Sequence, residues 1–404
     1  MPLELETVDP RGYPTLARFI DSVFERAGRE SRLVAALADG DPRFDPGLCL
    51  VAKGEHQKPV GFALFLPRNM RLRGQMVRLA LSSPFGVLPA ARGQGVGRFL
   101  ARTGLGALRD RGLRGAIAIG ARPFFESHGY APAFNFYSLR VRRDDLAEGV
   151  TAGWRGLSGA DLPALVSIYE RCYGETPGSE ERHATASDWA CATEGAHTLV
   201  LERDGAPAAY LRFRTRASLE VRECGALDAA AVQSVLAFLR RLANEHGTPV
   251  LDVHLPPRHP VARALFQRGA LQSASDFGGA AMLAVVDWPG LLSDLAPSFA
   301  QPLAQTGGAP LSIEFGGTSF CFTPRADGSV EIGTGRVKGA HLAPPVELGP
   351  PLITGQRGYL DLRWDAGTLV RSDLCPEGWE RVRALFPTAT PSWTYAPVFE
   401  LADD

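Results

Sequence analysis

The sequence has no Cys-x-x-Cys pair, no long apolar run and no excess of charge of one sign. Its six cysteines are scattered, so neither a disulfide framework nor a zinc knuckle is indicated. The 43 Lys and Arg residues balance 44 Asp and Glu, which leaves no footprint for nucleic acid. The longest apolar stretch, at 278–286, is too short to span a bilayer. The start, MPLELETVDP, lacks the apolar segment of a signal peptide. We therefore expect a cytoplasmic protein that binds neither nucleic acid nor membrane.

The 404 residues form three blocks, of which the second repeats the first at about 140 residues. In the first block, the strand-like segments VGFALFLP and MVRLALSSPFGV precede a glycine-rich loop, an amphipathic helix and the strand AIAIG. The second block runs from HTLVLERDG through SLEVREC to a helix capped by Asp228 and the strand VLDVHL. The third, with LSIEFGG, TSFCFTP, SVEIGTG and the helical PEGWERVRALF, is a small α+β unit.

The stretch VLPAARGQGVGRFLA, residues 87–101, is typical of a loop that binds a pyrophosphate. A helix N-terminus stabilises localised negative charge through its free N–H groups and its dipole, provided the backbone comes close. Glycines permit that approach, and Arg92 and Arg98 add charge-assisted hydrogen bonds. The Lys-Ser/Thr of a Walker A loop and the G-x-G-x-x-G of a dinucleotide fold are both missing.

The pattern Arg92-x-x-Gly95-x-Gly97, with the later SHGYAPA, resembles the acyl-CoA loop of the GNAT N-acetyltransferase superfamily. The layout of the whole chain resembles the Eis (enhanced intracellular survival) family. That resemblance implies two tandem GNAT folds, the second degenerate, followed by a sterol-carrier-like α+β domain. It divides the chain into 1–147, 148–287 and 288–404. Family proteins of this layout form oligomers, often hexamers, so a homo-oligomer is implied.

The resemblance implies an acetyl-CoA site made of strand, loop and helix residues. It implies an acetyl transfer to an amine of a cationic small molecule, such as an aminoglycoside or polyamine, or to a lysine. No metal is expected, since His254 and His259 have only Asp252 nearby. The expected acetyl-CoA site comprises Phe85, Gly86, Val87, Arg92, Gly93, Gln94, Gly95, Val96, Gly97, Arg98, Phe125 and Glu126.

Two residues are implied as catalytic. Tyr130 stands where the family places the general acid that protonates the departing CoA sulfur. The family's general base is the C-terminal carboxylate after a terminal phenylalanine, which makes Asp404 the candidate here. Because five residues follow Phe399, Glu400, Asp403 or a water chain are alternatives. His128 is a weaker candidate base, expected at a solvent-facing position with nothing to orient its ring.

Two further features bear on ligands. Where the second block matches the glycine loop it reads ECGALDAAAV, and a carboxylate there would repel a pyrophosphate, so we expect one acetyl-CoA site per chain. Acidic residues at 21, 25, 30, 39 and 41 lie in the segments that, by the resemblance, wall the acceptor cleft. They would attract a cationic amine, although most are expected to be ordinary solvated charges. The alternative function is a catalytically silent CoA-sensing scaffold or a lipid-binding protein.

Overall fold

The structure, a computed structural model, describes residues 2–13, 15–24, 28–189, 196–215, 219–275, 281–364, 370–389 and 391–392. Helices and strands are mixed throughout these ranges, so the predicted α+β class is confirmed. The strands form two seven-stranded sheets and one five-stranded sheet. Within the same ranges, every helix is too short or too polar to span a bilayer.

The first block contains the predicted order of strand, loop, helix and strand. Its strands are β1 (Glu4–Thr7), β2 (Cys49–Lys53), β3 (Pro59–Leu72), β4 (Gln75–Val87), β5 (Gly115–Ala118), β6 (Ala131–Phe134) and β7 (Phe136–Arg142). Its helices are α1 (Leu16–Phe24), α2 (Arg29–Gly40), α3 (Val96–Asp110) and α4 (Arg122–Glu126).

The second block repeats this order. Its strands are β8 (Trp154–Gly156), β9 (Ala196–Arg203), β10 (Ala206–Thr215), β11 (Leu219–Ala226), β12 (Val250–Val253), β13 (Leu271–Ser275) and β14 (Ala281–Val285). Its helices are α5 (Leu162–Tyr173), α6 (Ala186–Trp189), α7 (Ala229–Glu245) and α8 (Pro260–Phe266). Asp228 caps α7 as predicted, since its side chain accepts a hydrogen bond from the backbone N–H of Ala231.

The third block forms the small sheet and its covering helices. Its strands are β15 (Leu311–Phe315), β16 (Thr318–Pro324), β17 (Val330–Thr334), β18 (His341–Ala343) and β19 (Arg371–Ser372). Its helices are α9 (Trp288–Gln305), α10 (Gly349–Thr354), α11 (Tyr359–Trp364) and α12 (Pro376–Leu385).

The first two sheets exchange one strand each. The first has the order β1-β2-β3-β4-β5-β14-β6, and the second has the order β13-β7-β12-β11-β10-β9-β8. Thus β14 lies between β5 and β6, while β7 takes the equivalent place between β12 and β13. Each of these sheets therefore contains strands from both predicted domains, 1–147 and 148–287. The division of the chain at these boundaries remains a prediction. The common strand order reflects the internal repeat seen in the sequence.

A single hydrophobic core joins the first and third blocks. Helix α9 contributes Leu291, Leu295 and Phe299 to a cluster that also contains side chains from β3 and β4. The tip of the β3–β4 hairpin strengthens this junction, because the guanidinium of Arg73 lies 4.7 Å from the ring centre of Phe299. Placing a cation against an aromatic face is favourable, and more so where water is excluded. The tip of the hairpin is therefore held against α9.

Helix α3 buries one face against the first sheet. Val96, Leu100, Gly104 and Leu108 recur at a spacing of four and are all buried. Gly104 has no Cβ, and the ring of Phe65 occupies the space where one would lie. The arginines at 98, 102 and 109 lie on the exposed side, as predicted. This packing fixes the position at which the N-terminus of α3 meets the end of β4.

Candidate active site

A cavity opens where two parallel strands of the first sheet separate. β4 and β5 pair over three positions only, from Leu79 opposite Gly115 to Leu81 opposite Ile117. Beyond Leu81, β4 continues to Val87, and its register with β3 shifts between Ala63 and Phe65. The cavity between the strand ends has a volume of about 540 Å³. Separated strands leave backbone groups of β4 facing the cavity rather than a neighbouring strand.

Five chain segments contribute to the wall. Residues 82–87 of β4 form one side, and residues 119–121 with Phe124 and Phe125 form the other. Val23 and Phe24 at the end of α1, with Glu30 and Leu33 of α2, close the cavity over the strand. Arg92 and Gly97 line it at the glycine loop. Because these segments are far apart in the sequence, no local motif identifies the wall as a whole.

The glycine loop leads into the first turn of α3 without a side-chain cap. Gly93 and Gly95 have positive φ angles of 76° and 84°, a region that favours glycine. Gly95 is the N-cap residue, and no side chain bonds to the first turn. The first N–H groups of a helix have no intrahelical acceptor. At Gly97 an added Cβ would lie 3.0 Å from the ring of Phe124, so this residue keeps the cavity clear.

Not all of the residues predicted to bind acetyl-CoA line the cavity. Phe85, Gly86, Val87, Arg92, Gly97 and Phe125 do so. Gly93, Gln94, Gly95 and Arg98 are exposed on the loop and the first turn of α3. The side chain of Val96 is buried against the sheet, which leaves its backbone N–H as the group that could contact a ligand. Glu126 is exposed and forms an ion pair with Arg122, at 2.7 Å.

Tyr130 lies behind the cavity wall and contacts it through Ser82. The tyrosine is buried, with 3% of its surface exposed, and its ring packs 5.1 Å from that of Phe125. The oxygens of Tyr130 and Ser82 are 3.1 Å apart, and Ser82 lines the cavity. Burial raises the pKa of Tyr130 well above its ordinary value of 10, so the phenol stays protonated at neutral pH. No motif in the sequence indicates Ser82 as a residue of the site.

His128 corrects one expectation from the sequence. It is half-buried rather than solvent-facing, and its ring lies 4.6 Å from that of Phe124. Nδ1 is 2.7 Å from the carbonyl oxygen of Phe124 and 3.0 Å from the hydroxyl of Ser127. These contacts orient the ring, which folds back onto its own helical turn. His128 is therefore oriented, contrary to the expectation, and it supports the aromatic wall.

The equivalent gap in the second sheet is filled. β11 and β12 pair at Glu220 and Val221 only. Three residues beyond Val221, the backbone carbonyl of Cys224 accepts from two side chains: its oxygen is 3.0 Å from the hydroxyl of Tyr173 and 2.9 Å from Nε2 of His259. Burial lowers the pKa of His259 to about 3, so its ring is neutral. Nδ1 of the same ring accepts from the N–H of Val261. His259 is a structural residue, not a metal ligand.

The N-terminus of α7, in the second block, is capped by a carboxylate of the chain itself. The carboxylate of Asp228 accepts from Ala231 N–H at 2.8 Å and pairs with Arg203. The pairing with Arg203, followed by the helix N–H groups, lowers the pKa of Asp228 to about 2. A permanently charged carboxylate therefore occupies the place that a phosphate would need. Elsewhere in the described ranges, His, Cys, Asp and Glu side chains do not gather in groups of three that could hold a metal.

The candidate general bases Asp404, Glu400 and Asp403 lie outside the described residues. The last described residues, Pro391 and Ser392, run beside the first block: Asn135 N–H donates to Pro391 O at 3.0 Å, and Ser392 N–H donates to Pro177 O at 2.9 Å. Asn135 directly follows β6, five positions after Tyr130 in the sequence.

Comparisons with known proteins agree with this geometry. Residues 17–130 match the model of the Acetyltransferase (GNAT) family. Over 104 residues the chain is 33% identical to the uncharacterized N-acetyltransferase YjhQ of Escherichia coli K12, a match that covers 26% of this chain and 56% of that protein. The chain thus spans little more than half of this curated relative. The matched segment lies within the first block, where the GNAT unit is predicted.

Solved structures resemble the chain over nearly its full length. A GCN5-related N-acetyltransferase from Anabaena variabilis has a TM-score of 0.73 at 17% identity, covering 97% of this chain and 99% of that one. Eis1 from Mycobacterium abscessus has a TM-score of 0.68 at 18% identity, with 98% and 99% covered. At these identities the likeness concerns the fold. It confirms GNAT-like architecture and leaves the sterol-carrier-like assignment of 288–404 a prediction.

Proposed function

We propose that the chain is an acetyl-CoA-dependent N-acetyltransferase with one active site, in its first block. The observation that carries the proposal is the uncapped, glycine-rich start of α3, which opens on the cavity between β4 and β5. Helix N–H groups and Arg92 would hold the pyrophosphate. Residues 85–87 pair with β3 on one side only, and their backbone on the side of the cavity would pair with the amides of the pantetheine arm, as a neighbouring strand otherwise would. The match of this segment to the GNAT model supports the same reading.

The reaction follows from groups beside the cavity. The neutral amine attacks the thioester carbonyl carbon, a C–N bond forms, and the negative charge passes to the carbonyl oxygen. The intermediate then collapses, the C–S bond breaks, and the thiolate takes a proton. Tyr130 is our proposed proton donor, because its phenol is protonated at neutral pH and its oxygen lies 3.1 Å from that of Ser82, which lines the cavity. The proton lost by the attacking nitrogen goes to a base.

For that base we propose the C-terminal carboxylate of Asp404, with Glu400, Asp403 or a water chain as the alternatives. The position of Pro391 supports this proposal, because its carbonyl oxygen accepts from the N–H of Asn135, directly after β6 of the first block. Deleting residues 400–404 should lower turnover at neutral pH while acetyl-CoA affinity is retained. Unchanged turnover with every amine tried would exclude the tail from proton transfer.

The remaining features are proposals that rest on the resemblance. We propose that residues 148–287 form a GNAT unit without bound acetyl-CoA, and that residues 288–404 are a sterol-carrier-like domain with a packing role. We also propose a cytoplasmic homo-oligomer, a hexamer being the form common in the resembled family. Sedimentation of the full chain tests the assembly.

The function is tested by thiol release from acetyl-CoA in the presence of a panel of primary amines. Amine-dependent release, with one acetyl-CoA bound per chain by calorimetry, is the expected result. Tight binding of acetyl-CoA without release for any amine would instead favour the CoA-sensing scaffold. Lipid that co-purifies and is identified by mass spectrometry, with no acetyl-CoA bound, would favour the lipid-binding alternative.

A further inference from the structure

We propose that Arg98 and Arg102 of α3 bind the 3′-phosphate of CoA, so that the protein selects a 3′-phosphorylated donor over its dephospho form. This inference rests on the proposed acetyl transfer and adds a donor-selecting subsite to the same site. CoA carries a pyrophosphate and, separately, a phosphate on the 3′-oxygen of its ribose. The helix N–H groups and Arg92 are proposed to hold the pyrophosphate, which leaves the third phosphate to be matched.

The cavity and the glycine loop set the direction in which a bound CoA would extend. Arg92 and Gly97 are among the residues that line the cavity, whereas Arg98 and Arg102 are not. With the pantetheine arm beside residues 85–87 and the pyrophosphate at the loop, the adenosine half of CoA lies outside the cavity. Arg98 and Arg102 are exposed on the helix that begins at this loop. They are therefore the cations beside the outer half of the ligand.

The spacing of Arg98 and Arg102 suits a single phosphate. The two residues are four positions apart, which places them on the same side of α3 and about 6 Å apart along its axis. Side chains on a helix lean toward its N-terminus, so both guanidinium groups can reach an anion near the glycine loop. Guanidinium groups donate charge-assisted hydrogen bonds to phosphate oxygens, often two from one arginine. This pair can thus bind a phosphate from two sides.

Arginines farther along the chain are already held by the protein. Those at 109, 111 and 114 donate to a backbone carbonyl or a carboxylate oxygen at distances of 2.6–2.8 Å. Within the ranges that the structure describes, Arg98 and Arg102 have no such acceptor. The arginines close to the proposed CoA site are therefore the ones whose donors are left for a ligand.

The charge at the start of α3 also favours an anion. The positive end of a helix dipole is stabilised by acidic side chains and destabilised by cations. Yet the first turn of α3 contains Arg98 and no acidic residue, and Arg102 follows one turn later. In the second block, residues 229–236 of α7 carry no charged side chain, and Asp228 caps that helix. A bound phosphate would offset the repulsion in α3, and both arginines occur in the block proposed to bind acetyl-CoA.

The test measures the binding of CoA and of 3′-dephospho-CoA to the full chain by calorimetry. Neither ligand is an acetyl donor, so the result does not depend on the acceptor amine. We expect the wild type to bind CoA about tenfold or more tightly than dephospho-CoA, because the latter lacks the charge-assisted hydrogen bonds. The double variant Arg98→Gln/Arg102→Gln should bind the two ligands with affinities within about twofold of each other, since their difference isolates this interaction. Arg109→Gln, on the same helix, is the matched control and should keep the wild-type ratio.

Salt provides a second measurement. The ratio of the two affinities should fall in the wild type as ionic strength rises, because exposed charges are screened, and it should stay constant in the double variant. Equal affinities in the wild type would overturn the inference while leaving the pyrophosphate site intact. A double variant that keeps the wild-type ratio would assign the 3′-phosphate to other groups and overturn it as well. Absence of binding of either ligand to the wild type would overturn the proposed function itself.

Discussion

The sheets of the first two blocks have the same strand order, but the gap between their parallel strands is an open cavity in the first block and is filled by side chains in the second. Counting from the last paired residue of each strand, residues 82–86 of β4 correspond to residues 222–226 of β11. In the first block that stretch borders a cavity. In the second, Tyr173 and His259 bond to its backbone, and Glu223 is buried against Arg182 at 2.9 Å.

The N-termini of α3 and α7, the helices that follow these strands, also differ: the first is uncapped and the second is capped. Gly95 leaves the first turn of α3 without a side-chain acceptor, whereas Asp228 supplies one to α7. Capping by a side chain stabilises a helix by about 1 kcal/mol. The first turn of α3 lacks that stabilisation, whereas the first turn of α7 has it. Under the proposed function, the first copy of the fold binds the substrate and the second copy does not.

The largest effect on turnover should come from removing the hydroxyl group of Tyr130, which lies behind the cavity wall of the first block. Tyr130→Phe should lower turnover by about a hundredfold or more, because the departing thiolate loses its proton donor. Acetyl-CoA affinity should hardly change, and Tyr137→Phe is a matched control on β7. The measurement is thiol release alongside calorimetry. Wild-type turnover in the variant would remove Tyr130 from the mechanism.

Filling the cavity of the first block should make it resemble the filled gap of the second block, which is expected not to bind acetyl-CoA. In Gly97→Leu the new side chain meets Phe124 and occupies the space beside the first turn of α3. We expect acetyl-CoA affinity to fall by about thirtyfold or more, since helix N–H groups and the cavity become inaccessible. Gly106→Leu is the control, because that glycine faces open space on the same helix. An affinity for acetyl-CoA within threefold of wild type would place the ligand elsewhere.

Acid should weaken the second block through His259. Its folded pKa of about 3 lies below the ordinary 6.5, so between these values the unfolded chain binds a proton that the folded chain does not. Stability is therefore lost as the pH falls from about 6.5 toward 3. His259→Gln should lower stability by about 1–3 kcal/mol at pH 7.5 and reduce the further loss at pH 5.

Urea unfolding at the two pH values measures this effect. His246→Gln, at an exposed position, is the control. An equal loss of stability on acidification in the wild type and the His259 variant would show that another group is responsible.

The smallest effect should follow from removing the cap of the second block. Asp228→Ala should destabilise the protein by about 1 kcal/mol, whereas Asp228→Asn should retain most of the cap. Neither variant should gain a second acetyl-CoA, because Tyr173 and His259 still fill the gap. A stoichiometry of two acetyl-CoA molecules per chain by calorimetry in Asp228→Ala would show that Asp228 alone prevents acetyl-CoA from binding to the second block.

Local signals made much of the fold predictable. The period of α3 and the glycines at 93 and 95 are contained within a few residues of sequence, as is the cap at Asp228. Helices, caps and turns depend on such short-range interactions. Most of the residues predicted to bind acetyl-CoA were chosen in the same way, since they lie along one strand, loop and helix, and six of them line the cavity.

The order of elements and the contrast between an uncapped and a capped helix start therefore follow from local sequence patterns. The other features depend on how the elements pack together. Tertiary structure exchanged β7 and β14 between the sheets, brought Ser82 to Tyr130 across 48 residues, and set Tyr173 against Cys224 across 51. Contacts of this kind depend on how whole elements pack, and no short stretch of sequence encodes that packing.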